Sequence, residues 1–154
     1  MKSKITLIVF LSILLSFAAA WAGLTRTEIS GLYVGIFGRA SEGEGNYYWQ
    51  SLGLDMATTA DVMLATDAAK NYFGESLNTN NSFINHIYYN TLNKTAAEDP
   101  EGIGYWVGML DSGASRGFVG ATLVSAVGDY APGSPRHYPL DTSTIAAYNH
   151  FTNR

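Results

Sequence analysis

Gly45-Asn46-Tyr47-Tyr48-Trp49 and Gly102-Ile103-Gly104-Tyr105-Trp106 both read G-x-x-Y-W, and the residues around them repeat as well. Each phrase begins beside an acidic turn, Glu42-Gly43-Glu44 or Asp99-Pro100-Glu101, and each turn follows a run with helical apolar spacing. In the first run Ile29, Leu32, Tyr33, Ile36 and Phe37 fall at i, i+3, i+4, i+7 and i+8, one buried face of a helix. Ile84, Ile87, Tyr88, Thr91 and Leu92 take the same register 55 residues later. The turn from Asn93 to Asp99 is longer by two, so the offset becomes 57 and then pairs Tyr48-Trp49 with Tyr105-Trp106, Leu52 with Met109 and Val62 with Val119.

Such a repeat predicts an all-α domain of about six packed helices in two three-helix halves. The units run over residues 27–74 and 80–130 of a domain covering 23–130. Thr25 or Thr27 caps the first helix, which stops at Gly38. A second, short helix carries Tyr48, Trp49 and Leu52. Asp55 or Thr58 caps a third, in which Val62, Ala65, Thr66, Ala69, Tyr72 and Phe73 face the core. Asn80 or Asn81 opens the second unit. Beyond residue 130, Ala131-Pro132-Gly133-Ser134-Pro135 breaks the pattern, and Asp141 or Thr142 caps a C-terminal helix that buries Ile145, Tyr148 and Phe151.

Residues 1–22 read as a secretory signal peptide. Lys2 and Lys4 precede an apolar run from Ile5 to Phe17, and the small residues around Trp21 suit cleavage after Ala20 or Ala22. The run is shorter than the roughly 20 apolar residues of a spanning helix, so no stable membrane span is expected after cleavage. The chain has no cysteine, which excludes a disulfide framework and a cysteine-linked lipid. Loss of Lys2 and Lys4 leaves seven basic residues against 13 acidic ones, a net charge near −6. The basic residues are scattered, so nucleic acid is not an expected partner.

The tyrosine of the first helix (Tyr33, Tyr88), Phe37-Gly38-Arg39, the acidic turn, Tyr-Trp and Leu110-Asp111-Ser112-Gly113-Ala114-Ser115-Arg116 together resemble the bacterial domain-of-unknown-function family numbered 4214. The likeness extends over about Ile29 to Val127. It implies a helical domain similar in look to phycobilisome linker domains. It also implies an exported, surface-layer or adhesin-associated setting with no attached activity. Asn93-Lys94 stands where the family pattern has Gly-Arg, and no calcium-binding glycine-aspartate repeats follow. Tyr33, Arg39, Gly45, Tyr48, Trp49, Tyr88, Gly102, Tyr105, Trp106 and Arg116 are expected to be structural motif residues.

Chemistry is sparse. Glu42, Glu44, Asp99 and Glu101 are the acids that a glycosidase pair or a calcium site would use. Helix starts explain them better: Asp99-Pro100-Glu101 sets a capping carboxylate, a proline in the first helical position and an acid at the positive end of the dipole. His86, His137 and His150 lack ligand spacing for zinc, and no nucleophile elbow is present. Trp49, Trp106 and their adjacent tyrosines read as core; Tyr47 and Tyr89, beside the buried register, are the candidates for sugar or partner contact. The expected function is a non-catalytic, exported interaction module whose partner is a protein or cell-surface polymer, with no cofactor. A small glycan- or envelope-acting hydrolase and a calcium- or carbohydrate-binding module are the alternatives.

Overall fold

The computed structural model describes residues 23–128. The signal segment and the C-terminal helix predicted after residue 140 lie outside the described residues. Within them the chain is all-α: seven helices, one 3-10 turn and no strand.

The first helix, α1 (Arg26–Phe37), begins at Thr25, whose hydroxyl accepts from the Glu28 N–H while the Glu28 carboxylate takes the Thr25 N–H at 2.7 Å. This reciprocal cap satisfies two of the amides that a helix start leaves open. All five predicted positions of α1 are buried, and Val34, Gly31 and Gly35 are buried as well, so the helix is enclosed on nearly every side. It ends at Gly38 in the left-handed region, φ 61°. Its partner under the 55-residue offset, α5 (Asn80–Leu92), ends the same way at Asn93, φ 54°. Asparagine tolerates that conformation better than other side chains do, which explains how Asn93 can replace glycine there.

The α5 start differs from expectation: Thr79 is the cap, and Asn80 and Asn81 lie inside the helix. Thr79 is extended and exchanges hydrogen bonds with Ser82, a capping box that neither asparagine could form from its place.

Asp55 caps α3 (Met56–Ala65), accepting from the Thr58 N–H at 2.9 Å. The predicted long third helix is broken at Thr66. This residue is extended, donates its hydroxyl to the Met63 carbonyl at 2.7 Å and accepts from the Ala69 N–H at 3.2 Å, closing α3 and opening α4 (Asp67–Phe73). Ahead of the break the inward face of α3 is Thr59, Ala60, Met63 and Leu64, while Val62 and Ala65 are exposed; beyond it Ala69 and Phe73 are buried as predicted and Tyr72 is exposed. The polar linker is in part a 3-10 turn, Gly74–Leu77.

The helices α2 (Gly43–Ser51) and α6 (Pro100–Asp111) pack on α1 and α5 respectively. The last described helix, α7 (Arg116–Gly128), lies along α3 in the most extensive helix pair of the fold and also crosses α1. One core holds Ile29, Leu32 and Ile36 of α1, Met63 of α3, Phe83 and Ile87 of α5 and Val119 of α7. Full burial of each such side chain is worth roughly 1.5–3 kcal/mol.

Candidate functional surface

The repeated phrase is built around its glycine. Gly45 and Gly102 each occupy the third position of a helix, and a Cβ there would meet the hydroxyl of Tyr33 and of Tyr88 respectively. The tyrosine of the first helix in each unit therefore reaches across to the start of the second. Tyr88 donates to Asp99 Oδ2 at 2.7 Å, while Asp99 Oδ1 accepts from the Gly102 N–H at 2.9 Å. These bonds, the Tyr88 hydroxyl first, hold the Asp99 carboxyl below its ordinary range. In the first unit burial pushes the Tyr33 phenol up, opposed by a hydrogen bond from Trp49.

The acidic turns do different work. Asp99 caps α6 and Pro100 follows in its first turn, as the residue order predicts. Glu42 stands at the cap position of α2 without bonding a helix amide. Its carboxylate instead pairs with Arg39, Nη1–Oε2 2.5 Å and Nη2–Oε1 3.2 Å, which pulls it below its ordinary pKa. The Arg39 guanidinium also lies 5.2 Å from the Tyr33 ring centroid and 5.7 Å from that of Phe37. A cation held by both a carboxylate and ring faces results. Glu44 and Glu101 are exposed and have no ion pair or hydrogen bond among the described residues.

Two expectations about the aromatics are corrected. Tyr48 and Tyr105 are 55% and 61% exposed and not core. Adjacent residues of a helix point about 100° apart, so the dipeptide cannot bury both rings. Trp49 takes the inward position and is buried, Trp106 is half-buried, and each tyrosine stands edge-on to its tryptophan, with centroids 5.2 and 5.0 Å apart. Tyr47, at 75% the most exposed large ring among the described residues, and Tyr89 do lie at the surface.

Arg116 opens α7 and belongs to a loop lock. Its guanidinium sits 4.9 Å from the Phe83 ring centroid and donates to Asn80 Oδ1 at 3.4 Å, while the Asn80 amide donates to Asp111 Oδ1 at 2.8 Å. The single asparagine thus joins both ends of Leu110–Arg116. His86 is half-buried, stacked 4.3 Å from Phe73 and edge-on to Tyr72, with Nδ1 3.1 Å from Ser76 Oγ. Among the described residues, no cluster of three or more His, Cys, Asp or Glu is placed to hold a metal ion. Glu42 and Asp99 are each engaged locally, Glu42 with Arg39 and Asp99 with Tyr88 and the Gly102 N–H.

Sequence reasoning missed three buried or bridging polar residues. Asn46 is buried, donating to Ser41 Oγ at 2.8 Å and accepting from Gln50 at 2.7 Å. Asn90 links the two first helices: it donates to the Gly35 carbonyl at 3.0 Å and accepts from the Tyr72 hydroxyl at 3.1 Å. Gly35 and Asn90 are themselves partners under the 55-residue offset, and a Cβ on Gly35 would meet the side chains of Val124 and Thr91, so the glycine lets α7 and α5 close on α1. Asp61 on α3 accepts from Gly117 N–H and Ser115 Oγ, both at 2.6 Å, capping α7 from a neighbouring helix. Its spacing from that helix, 56 residues from Gly117, left no local signal.

No helix of the described residues is long and apolar enough to cross a membrane. No curated protein and no solved structure matches the chain. The family match begins inside α3 and ends inside α7, a narrower stretch than the motifs from Ile29 to Val127. Residues 60–125 match the domain of unknown function DUF4214, the family that the repeated motifs resemble.

Proposed function

We propose that this chain is an exported, non-catalytic helical interaction module, secreted or held at the cell surface as part of a surface-layer or adhesin-like scaffold. The observation that carries the reading is the outward display of Tyr47, Tyr48 and Tyr105 on the two second helices. Tyrosine is a large, amphipathic contact residue with few rotatable bonds, enriched where proteins meet partners. The first 22 residues supply the export reading. Engagement of Glu42 and Asp99 in local contacts favours a binding role over carboxylate catalysis.

The test uses purified mature protein added to washed cells of the producing bacterium. Wild type should bind saturably, and a Tyr47→Ser, Tyr48→Ser, Tyr105→Ser variant with an unchanged helical circular-dichroism spectrum should lose most of that binding. Equal binding by the two proteins, or none by either, contradicts the reading.

A further inference from the structure

Resting on that reading, we infer that the faces carried by α2 and α6 recognise a cationic polypeptide segment, seating a Lys or Arg side chain against Glu44 and Tyr48 on one helix and against Glu101 and Tyr105 on the other. In each helix the acid precedes the tyrosine by four residues, which puts the two side chains one turn apart on the same face. The pairs correspond under the 57-residue offset, so the arrangement occurs twice. Both acids are exposed and without an ion pair among the described residues, and both tyrosines are more than half exposed. The residue three beyond each tyrosine is small, Ser51 in α2 and Gly108 in α6, and nothing lies within 4 Å of a Cβ placed on Gly108. The second ring is left open to an approaching group.

Charge selects the sign of that group. Neither helix carries a Lys or Arg; α2 contributes Glu44, and α6 contributes Glu101 and Asp111. The chemistry is already used inside the molecule, where Glu42 and the ring of Tyr33 hold the Arg39 guanidinium between them. Glu44 with Tyr48 and Glu101 with Tyr105 offer the same pair of groups outward, and a cation over a tyrosine face beside a carboxylate gains from both.

The experiment titrates full mature protein with a fluorescein-labelled peptide of alternating Lys and Gly, read by anisotropy, with a Glu-Gly peptide and a neutral glycan panel as companions. Saturable, salt-sensitive binding of the Lys-Gly peptide is expected. Affinity should fall about two- to fivefold for each of Tyr48→Ser and Tyr105→Ser, and further for Glu44→Gln with Glu101→Gln. Asp67→Asn with Glu75→Gln, which removes the same charge elsewhere, should leave it nearly unchanged. An equal loss in that control pair, or no Lys-Gly binding, overturns the inference. Glycan binding that needs the tyrosines but ignores Glu44 and Glu101 also overturns it while leaving the interaction module standing; wild-type cells that fail to take up the protein remove the module itself.

Discussion

At Gly45 and Gly102 an added methyl group would run into the phenol oxygen of Tyr33 or Tyr88. Ordinarily Gly→Ala within a helix stabilises by about 0.5–1 kcal/mol. Here overpacking should reverse the sign, and we expect Gly102→Ala to lower stability by about 1–3 kcal/mol in urea unfolding. Combining it with Tyr88→Phe should cost less than the sum of the two changes, because one of the colliding atoms is gone; strict additivity would contradict the contact. The repeated phrase displayed this glycine plainly, yet its reason lies in a tyrosine hydroxyl brought from another helix. Histidine gives a pH-dependent expectation. Burial lowers the His86 pKa below its ordinary value of about 6.5, so the folded chain favours the neutral ring. That contribution is full above the ordinary value and is lost as pH falls through the lower folded one. The urea midpoint of wild type should therefore drop more steeply than that of His86→Gln between about pH 7.5 and pH 5; parallel curves would contradict it.

Among the helices, those with a clean period were legible and those relying on distant partners were not. The faces of α1 and α5 could be read because every inward position of the repeated register is apolar or tyrosine apart from Thr91, whose hydroxyl bonds back to the Ile87 carbonyl at 2.7 Å; buried Asn90 lies beside that register and was not read. The third helix of the first unit could not, since Thr66 serves two helices at once and the inward face ahead of it runs through Thr59, Ala60, Met63 and Leu64 instead of Val62 and Ala65. The outward tyrosines of the G-x-x-Y-W phrase were misplaced because apolar content was weighed without the 100° step between neighbours. The α3–α7 contact was invisible for a different reason: Gly117 lets the helices close until its Cα sits against the Ala57 carbonyl and Asp61, which then caps α7. Replacing Asp61 with Ala leaves Gly117 N–H and Ser115 Oγ without that acceptor, and we expect a loss of roughly 1–3 kcal/mol by chemical denaturation. Wild-type stability in Asp61→Ala would show that water replaces the cap at no cost.

Across the whole molecule, the two offsets bring like residues to like places where packing demands it and release them elsewhere. Tyr33 and Tyr88 both reach the glycine of the following helix, and Gly38 and Asn93 both end a first helix in the left-handed region. Buried Asn46 faces buried Ile103 under the same comparison, and exposed Val62 faces buried Val119. The repeat thus recurs in the framework, while the acid–tyrosine pairs of α2 and α6 have no ion pair among the described residues. The proposed interaction module is one that acts outside the cell, so its location is the central matter. Mass spectrometry of the mature N-terminus in culture fractions is the most direct measurement: the account predicts a chain beginning at Trp21 or Gly23 in the medium or surface fraction. An intact Met1 in the cytoplasm would contradict it.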